Sequence, residues 1–185
     1  MKVQDKLADI LGEVAGVLRR VDGEAVDLLA KRILAAERVF LFGQGRTGYV
    51  TRAFAVRLMH LGLSVHMVGD ASTPPITSRD LCLVNSGTGE TRFSYHVVEA
   101  AREAGAGTAT ITAHPGARIG RLSDLVVTIP APTKGKPFGP SASRQPAGSL
   151  FEQALFVLLD AVVLTLMERL GGTQSDMLQR HANIE

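Results

Sequence analysis

Two short segments of the sequence combine glycines with hydroxyl side chains, a composition that suits an anion. Each segment follows an apolar run and leads into a helical pattern. The first loop is Gly43-Gln44-Gly45-Arg46-Thr47-Gly48, and the second loop is Asn85-Ser86-Gly87-Thr88-Gly89-Glu90-Thr91. Glycines let the backbone turn tightly, and the unpaired N–H groups at a helix start attract negative charge. Together with the hydroxyls, they predict a phosphate-binding cradle.

The first loop also fits other interpretations. Its glycine spacing matches the dinucleotide fingerprint, and Asp70 stands 22 positions past Gly48, about where a ribose-binding acid would lie. Against a dinucleotide, the chain offers no separate catalytic domain, and Arg46 and Thr47 add charge and a hydroxyl to the loop. A glycine turn without a ligand is a further alternative. For the second loop the alternative is a helix cap, although a cap needs one hydroxyl and this loop contains three.

The elements around these loops alternate between strand and helix patterns. Two helical patterns come first, with apolar residues from Leu7 to Leu18 and then from Glu24 to Ala36 after an Asp22 cap. The alternation that follows predicts an α/β fold, a three-layer sandwich in which helices flank a five-stranded parallel sheet. Strands are predicted at Val39–Phe42, Val65–Val68, Leu81–Val84, Thr108–Thr112 and Leu125–Ile129, and helices at Thr47–Leu61, Thr91–Ala104, Arg118–Leu122 and about 150–170.

A flavodoxin-like strand order of 2-1-3-4-5 would bring the two loops together. In that order the first and third strands are neighbours, and ligands bind where their carboxyl ends meet. The length favours one domain over residues 1–185, since typical domains contain ~100–150 residues. Its predicted parts are N-terminal helices (1–36), a sheet core (37–130), a loop or lid (131–148), a long helix (149–170) and a C-terminal tail (171–185).

Composition argues against several classes of protein. The net charge of +2 comes from 20 basic and 18 acidic residues that are mixed along the chain, so no basic stripe predicts nucleic-acid binding. Cys82 is the single cysteine and lies in an apolar run, and the five histidines show no zinc-site spacing. The amino terminus does not read as a secretory leader, and no uninterrupted apolar segment has membrane-spanning length. We therefore expect a cytoplasmic protein with no membrane partner and no metal.

The two loops together resemble the sugar isomerase (SIS) domain family, whose second loop binds the phosphate of phosphosugars. The resemblance implies that this chain binds a sugar phosphate. It assigns phosphate or substrate binding to Gly45 and Thr47 of the first loop and to Ser86, Gly87, Thr88 and Thr91 of the second.

Four further segments are similar to the 6-phospho-3-hexuloisomerase family of SIS enzymes. Its members interconvert D-arabino-hex-3-ulose 6-phosphate and D-fructose 6-phosphate in the ribulose monophosphate pathway, where formaldehyde is fixed. They are typically tetramers and use neither metal nor nucleotide. The resemblance thus implies an isomerase without a cofactor, with sites near the subunit interfaces of a homotetramer. The similar segments are residues 54–62, residues 68–70 with Thr73 and Pro74, residues 145–153, and residues 180–185.

The same resemblance indicates three catalytic residues. Glu152 matches the family's glutamate before the last long helix and would be the base, although Ser149-Leu150-Phe151-Glu152 is also a capping box. His181 would assist ring opening or proton transfer, in its own subunit or a neighbouring one; the alternative is an exposed tail residue. Arg46 would bind the enediolate or the phosphate, unless it only pairs with a surface acid.

Two alternative functions remain: a non-catalytic SIS module that senses a sugar phosphate, and a different SIS phosphosugar isomerase. The sequence also departs mildly from the resembled family. An apolar residue is expected where Asn85 stands, a small one at Gln44, and serine more often than threonine at positions 47 and 88.

Overall fold

In the computed structural model, which describes residues 2–134 and 143–184, two helices precede five strands that alternate with helices. All five predicted strands are present, each with boundaries within one residue of those predicted. In chain order the elements are α1 (Val3–Leu18), α2 (Gly23–Ala35), β1 (Val39–Gly43), α3 (Gly45–His60), β2 (Val65–Met67), β3 (Leu81–Asn85), α4 (Arg92–Glu103), β4 (Gly107–Thr112), α5 (Arg118–Leu122), β5 (Leu125–Thr128), α6 (Ser149–Leu170) and α7 (Gln174–Gln179).

The strands form one parallel sheet in the order β2-β1-β3-β4-β5, which confirms the predicted topology. β1 and β3 are neighbours, and their register pairs Val39 with Leu81 and Gly43 with Asn85. Paired strands lie about 4.8 Å apart. The last residue of β1, which opens the first loop, is therefore beside the first residue of the second loop, at the carboxyl edge of the sheet.

Helices cover both faces of the sheet, as the predicted three layers require. Successive strand residues point to opposite faces, so Leu83 and Val84 of β3 enter different cores. Leu83 is in the larger core with α1, α2, α3 and α6, where Leu155 of α6 is fully buried. Val84 packs with Val98 of α4 in the smaller core on the other face. The two site loops connect strands to helices of both layers.

α6 is among the most apolar parts of the fold. Among the described residues, it is the one helix that is long and apolar enough to cross a membrane. Half of its most apolar window is buried inside the fold. It begins after Gly148 and ends at Gly171, with φ angles of 93° and 63°, a left-handed conformation that favours glycine.

Two predicted segments differ from simple expectation. The tail at residues 171–185 contains α7, a helix that the sequence pattern did not lead us to predict. The side chains of Thr173 and Asp176 form a capping box at its start, and this local pattern was present in the sequence. In the predicted loop or lid, residues 135–142 lie outside the described residues. Its described ends are packed: the hydroxyl of Thr133 is 2.8 Å from Nε2 of His114, and Ser143 contacts α1.

The buried position of Cys82 predicts a thiol that does not react in the folded protein. Cys82 is 1% exposed, and burial raises the pKa of its thiol to about 12. Because the thiolate is the nucleophile, we expect negligible reaction with a disulfide reagent at mildly alkaline pH. Denaturation in guanidinium should release full reactivity. The reaction can be followed by absorbance. Rapid modification of the folded protein would contradict this packing.

Candidate active site

The first loop turns directly from β1 into α3, and its glycines permit close packing. A Cβ on Gly48 would lie 2.6 Å from the carbonyl oxygen of Gly43, and one on Gly43 would lie 2.7 Å from Oγ1 of Thr51, so neither position has room for an ordinary side chain without a shift. Gly45 has a φ of 57°. The N-cap residue, Gln44, makes no side-chain cap hydrogen bond. The start of α3 therefore presents backbone N–H groups without a side-chain cap, as anion binding requires.

The second loop forms a tight turn between β3 and α4. The N–H of Gly89 donates to the carbonyl of Ser86 at 3.1 Å, and Gly89 has a φ of 64°. The hydroxyls of Ser86 and Thr91 are 3.3 Å apart. Thr91 is the N-cap residue of α4, yet it makes no side-chain cap hydrogen bond. The capping alternative for this loop therefore lacks its expected contact.

A buried hydrogen-bond chain connects the two loops. Nδ2 of Asn85 donates to Oγ1 of Thr51 at 2.9 Å, and that hydroxyl donates to the backbone carbonyl of Thr47 at 2.8 Å. Asn85 is 1% exposed, and its Oδ1 has no hydrogen-bond partner among the described residues. In the sequence, Asn85 stands out only as a departure from the resembled family. In the structure it fixes one loop relative to the other.

Glu152 contacts the first loop, and its neighbour in sequence, Phe151, packs against the second. Its carboxylate accepts a hydrogen bond from Nε of Arg46 at 2.5 Å, and the Glu152 side chain is 16% exposed while that of Arg46 is 69% exposed. Phe151 packs against the second loop so closely that a Cβ on Gly87 would lie 3.1 Å from its ring. The N-cap of α6 is Gly148, and the amide of Ser149 donates to Pro146. The capping-box interpretation of Glu152 is therefore not what the structure shows.

A groove of about 310 Å³ opens over this ion pair. Its walls come from the N-terminal parts of α3 and α6, and both members of the Arg46–Glu152 pair line it. Sequence reasoning missed its other wall residues, since a helix start gives no local sign of which side chains face a neighbouring helix. Those residues are Tyr49, Val50, Gln153 and Phe156.

His181 is placed elsewhere in the same chain. Its ring stacks on that of His60, with the ring centroids 3.9 Å apart. Arg46 is in the first turn of α3 and His60 is its last residue, so about 20 Å of helix separates His181 from the Arg46–Glu152 pair. Burial lowers the pKa of His60, and the nearby His181 and Arg57 lower it further. One chain thus does not bring all three predicted catalytic residues together.

Arg180 holds the tail against α3. Its Nη1 donates to the carbonyl of His60 and to the carbonyl of Asp176, each at 3.2 Å. A cation at the last carbonyls of a helix is electrostatically favourable. A Cβ on Gly62 would lie 3.3 Å from Nε of Arg180, so the tail packs tightly on this turn. The position of His181 is therefore set by contacts with α3 rather than by a free tail.

The dinucleotide interpretation gains no support from the geometry. The carboxylate of Asp70 accepts two hydrogen bonds from the guanidinium of Arg52, at 2.7 and 3.2 Å. This partner lowers the pKa of Asp70, although burial opposes the shift. Within residues 2–134 and 143–184, no cluster of three or more His, Cys, Asp or Glu side chains has the form of a metal site.

Comparison with known proteins identifies the family to which this fold belongs. Residues 32–157, well over half of the chain, match the family model described as the SIS domain. The chain therefore belongs to the SIS domain family. The predicted resemblance to this family is confirmed.

Several of its relatives carry the same enzyme name. The chain is 38% identical over 185 residues to the 3-hexulose-6-phosphate isomerase of Bacillus subtilis, covering 100% of both chains. It is 44% identical over 183 residues to that of Mycobacterium gastri, covering 99% of this chain and 92% of the relative. A crystal structure from Methanococcus jannaschii, for which the same function was inferred, superposes with a TM-score of 0.84 at 29% identity, covering 98% of this chain and 99% of the other.

Proposed function

We propose that this chain is a 3-hexulose-6-phosphate isomerase. It interconverts D-arabino-hex-3-ulose 6-phosphate and D-fructose 6-phosphate. The names of its full-length relatives support this activity, and the predicted resemblance pointed to the same enzymes. The observation that carries the proposal is the position of Glu152, bonded to Arg46 of the first loop and adjacent in sequence to Phe151, which packs on the second loop.

The substrate phosphate binds at the second loop. Ser86, Thr88 and Thr91 supply hydroxyls, and the first turn of α4 supplies backbone N–H groups. Gly87 carries no Cβ, which lets Phe151 pack closely against this loop. We propose that the sugar carbons then reach the groove that contains Glu152, because Phe151, its neighbour in sequence, packs on this loop. Gly45 and Thr47 belong to the first loop, which follows the strand paired with β3, and we propose that they bind the substrate from that side.

Glu152 acts as the general base of the isomerisation. Its carboxylate removes the proton from C2 of the 3-ketose, which gives a cis-enediol across C2 and C3. Return of a proton to C3 and transfer of a proton from O2 to O3 leave the carbonyl at C2, so no atom is gained or lost. Arg46 orients the carboxylate through Nε, and its remaining N–H groups can stabilise the enediolate oxygen.

A second copy of the chain completes the site in this proposal. His181 lies far from its own chain's Glu152, because it is docked on the last turn of α3. A second groove, of about 530 Å³, is lined by His60 and His181, and it shares Phe156 with the Glu152 groove. Large apolar side chains are exposed on α3 and α6 around these two grooves. We therefore propose that His181 acts in a neighbouring subunit's site and that the protein is a homotetramer. The exposed side chains are Tyr49, Val56, Met59, Phe156, Val157 and Leu164.

The proposed role in the cell follows from the reaction. We propose a single cytoplasmic domain that serves carbohydrate metabolism in the ribulose monophosphate pathway. There the isomerase removes the 3-hexulose phosphate formed when formaldehyde is fixed, or supplies it when the pathway runs toward pentose phosphate. The groove residues do not distinguish these two directions, because the enediol is common to both.

One assay tests the activity. Purified protein is mixed with hex-3-ulose 6-phosphate, and fructose 6-phosphate is followed through a coupled dehydrogenase, with and without EDTA. We expect turnover that EDTA does not change. A protein that binds the sugar phosphate without converting it would favour the alternative of a sugar-phosphate sensor. Conversion of an aldose phosphate instead would indicate a different SIS isomerase.

A further inference from the structure

The segment that leads into α6 is attached to α1 by one carboxylate. Glu13 of α1 accepts three hydrogen bonds from this segment. The donors are the hydroxyl of Ser143 at 2.6 Å, the backbone N–H of Arg144 at 3.0 Å and Nε2 of Gln145 at 2.8 Å. Three donors on one carboxylate leave little freedom for these residues.

This contact is partly shielded and joins parts of the chain that are far apart in sequence. Ser143 and Glu13 are separated by 130 positions, and both side chains are half-buried. Burial raises the pKa of Glu13, but the hydrogen bonds from Ser143, Gln145 and the Arg144 amide, with the Arg144 charge, hold it below its ordinary value. The carboxylate is therefore charged near neutral pH and keeps all its donors.

Few residues lie between this anchor and the candidate base. Gln145 is followed by Pro146, whose carbonyl accepts from the amide of Ser149, and the carbonyl of Gly148 accepts from the amide of Glu152. Proline and these two bonds limit how the chain can enter α6. A displacement at Gln145 is therefore transmitted to the first turn of the helix that carries Glu152.

A side chain next to the base connects the two regions directly. Gln153 lines the groove that contains Arg46 and Glu152, and it also lines a groove of about 350 Å³ between α1 and the segment, beside Glu13 and Gln145. Oε1 of Gln153 is buried and has no hydrogen-bond partner among the described residues. Gln153 therefore lines both the groove beside Glu13 and the groove that contains the candidate base.

We propose that Glu13 is a positioning residue for the isomerase reaction, which holds the entry to α6 so that Glu152 meets the substrate carbon. The inference rests on the proposed function. Glu13 does not touch the second loop, so its loss should leave phosphate binding unchanged. Misplacement of a catalytic group by about 1 Å can cost ~100-fold in rate. A loss of kcat at constant affinity is the signature that separates positioning from general destabilisation.

The test compares Glu13→Gln with Asp9→Asn in the full chain. Asp9 contacts the same segment from the same helix through an ion pair with Arg144, in which the Asp9 side chain is 46% exposed and that of Arg144 is 72% exposed. Exposed pairs contribute little. We expect Glu13→Gln to lower kcat about tenfold to a hundredfold, with KM and the inhibition constant of inorganic phosphate within about threefold of wild type. Asp9→Asn should stay within about twofold. Glu13→Asp should fall between, because the shorter carboxylate keeps the charge but not all the donors.

Hydrogen–deuterium exchange measured on the same variants separates a positioning role of Glu13 from general destabilisation of the protein. In Glu13→Gln, amides of residues 143–152 should exchange faster, while those of 85–95 should not change. Unchanged kcat in Glu13→Gln with faster exchange there would overturn the positioning role, as would equal losses of kcat and phosphate affinity. An equal loss in Asp9→Asn would also overturn it. Wild-type protein could be inactive on the hexulose phosphate while amide exchange in Glu13→Gln still increases as expected. In that case the proposed function fails, but the structural contact between Glu13 and residues 143–145 is still supported.

Discussion

Replacement of Glu152 by glutamine should remove nearly all isomerase activity while leaving the protein folded. Glutamine has the shape of glutamate, and its carbonyl oxygen can still accept from Nε of Arg46, so the contact at 2.5 Å is replaced and not merely broken. It cannot accept a proton from carbon. A general base contributes about 10²–10⁴-fold to a rate. We expect kcat to fall by that factor, with KM within about threefold.

The coupled assay that follows fructose 6-phosphate measures this loss. Glu168→Gln is the matched control, because Glu168 is an exposed glutamate near the other end of α6. It should retain wild-type activity. Equal thermal midpoints for the three proteins would show that the fold is intact. Full activity in Glu152→Gln would move the base to another residue but leave the phosphate cradle in place.

Replacement of His181 by alanine should produce a defect that a second defective chain can repair. His181 and the Glu152–Arg46 pair lie at opposite ends of α3, and His181 is held there by stacking on His60 and by Arg180. If the site uses His181 from a neighbour, His181→Ala should lower kcat by about 10²-fold or more. Co-refolding it with Glu152→Gln then restores sites that carry both wild-type residues.

The recovery expected in mixed assemblies can be estimated. With random assembly of equal amounts, about a quarter of the shared sites contain an intact Glu152 and an intact His181, so about a quarter of wild-type activity should return. Each variant refolded alone is the control. A mixture that stays as inactive as its components would place both residues in one chain's site and would contradict the shared site. Size-exclusion chromatography with light scattering reports the assembly in parallel.

The fold was predictable because its signals are local. Apolar runs of strand length alternated with helical patterns, and a parallel sheet with helices on both faces is the arrangement that buries both. The two loops from which we predict a phosphate cradle were recognisable for the same reason. The glycines and hydroxyls of each loop are close in sequence, as at Ser86 and Thr91 or Gly45 and Thr47, and they follow strands that the predicted order makes neighbours.

Contacts between distant segments were not predictable from local patterns. Whether Glu152 caps its own helix or contacts Arg46 depends on how α6 packs on α3. The local sequence of residues 149–152 is compatible with both contacts. The missed helix α7 is a different case, because its capping box at Thr173 was visible but its short polar sequence resembled a tail. The role of Asn85 was hidden as well, since its partner Thr51 is on another element.

The amino-acid sequence by itself indicated the alternation of strands and helices, the two loops rich in glycines and hydroxyls, and the family, because each depends on neighbouring residues and their periodicity. The tertiary structure alone decided which distant side chains meet: Arg46 with Glu152, Glu13 with the entry to α6, and His181 with His60. The physical reason is that such pairs depend on the packing of helices separated by more than 100 residues in the first two cases and on the docking of the tail in the third. Side-chain types and their spacing in the sequence do not indicate which distant residues come into contact.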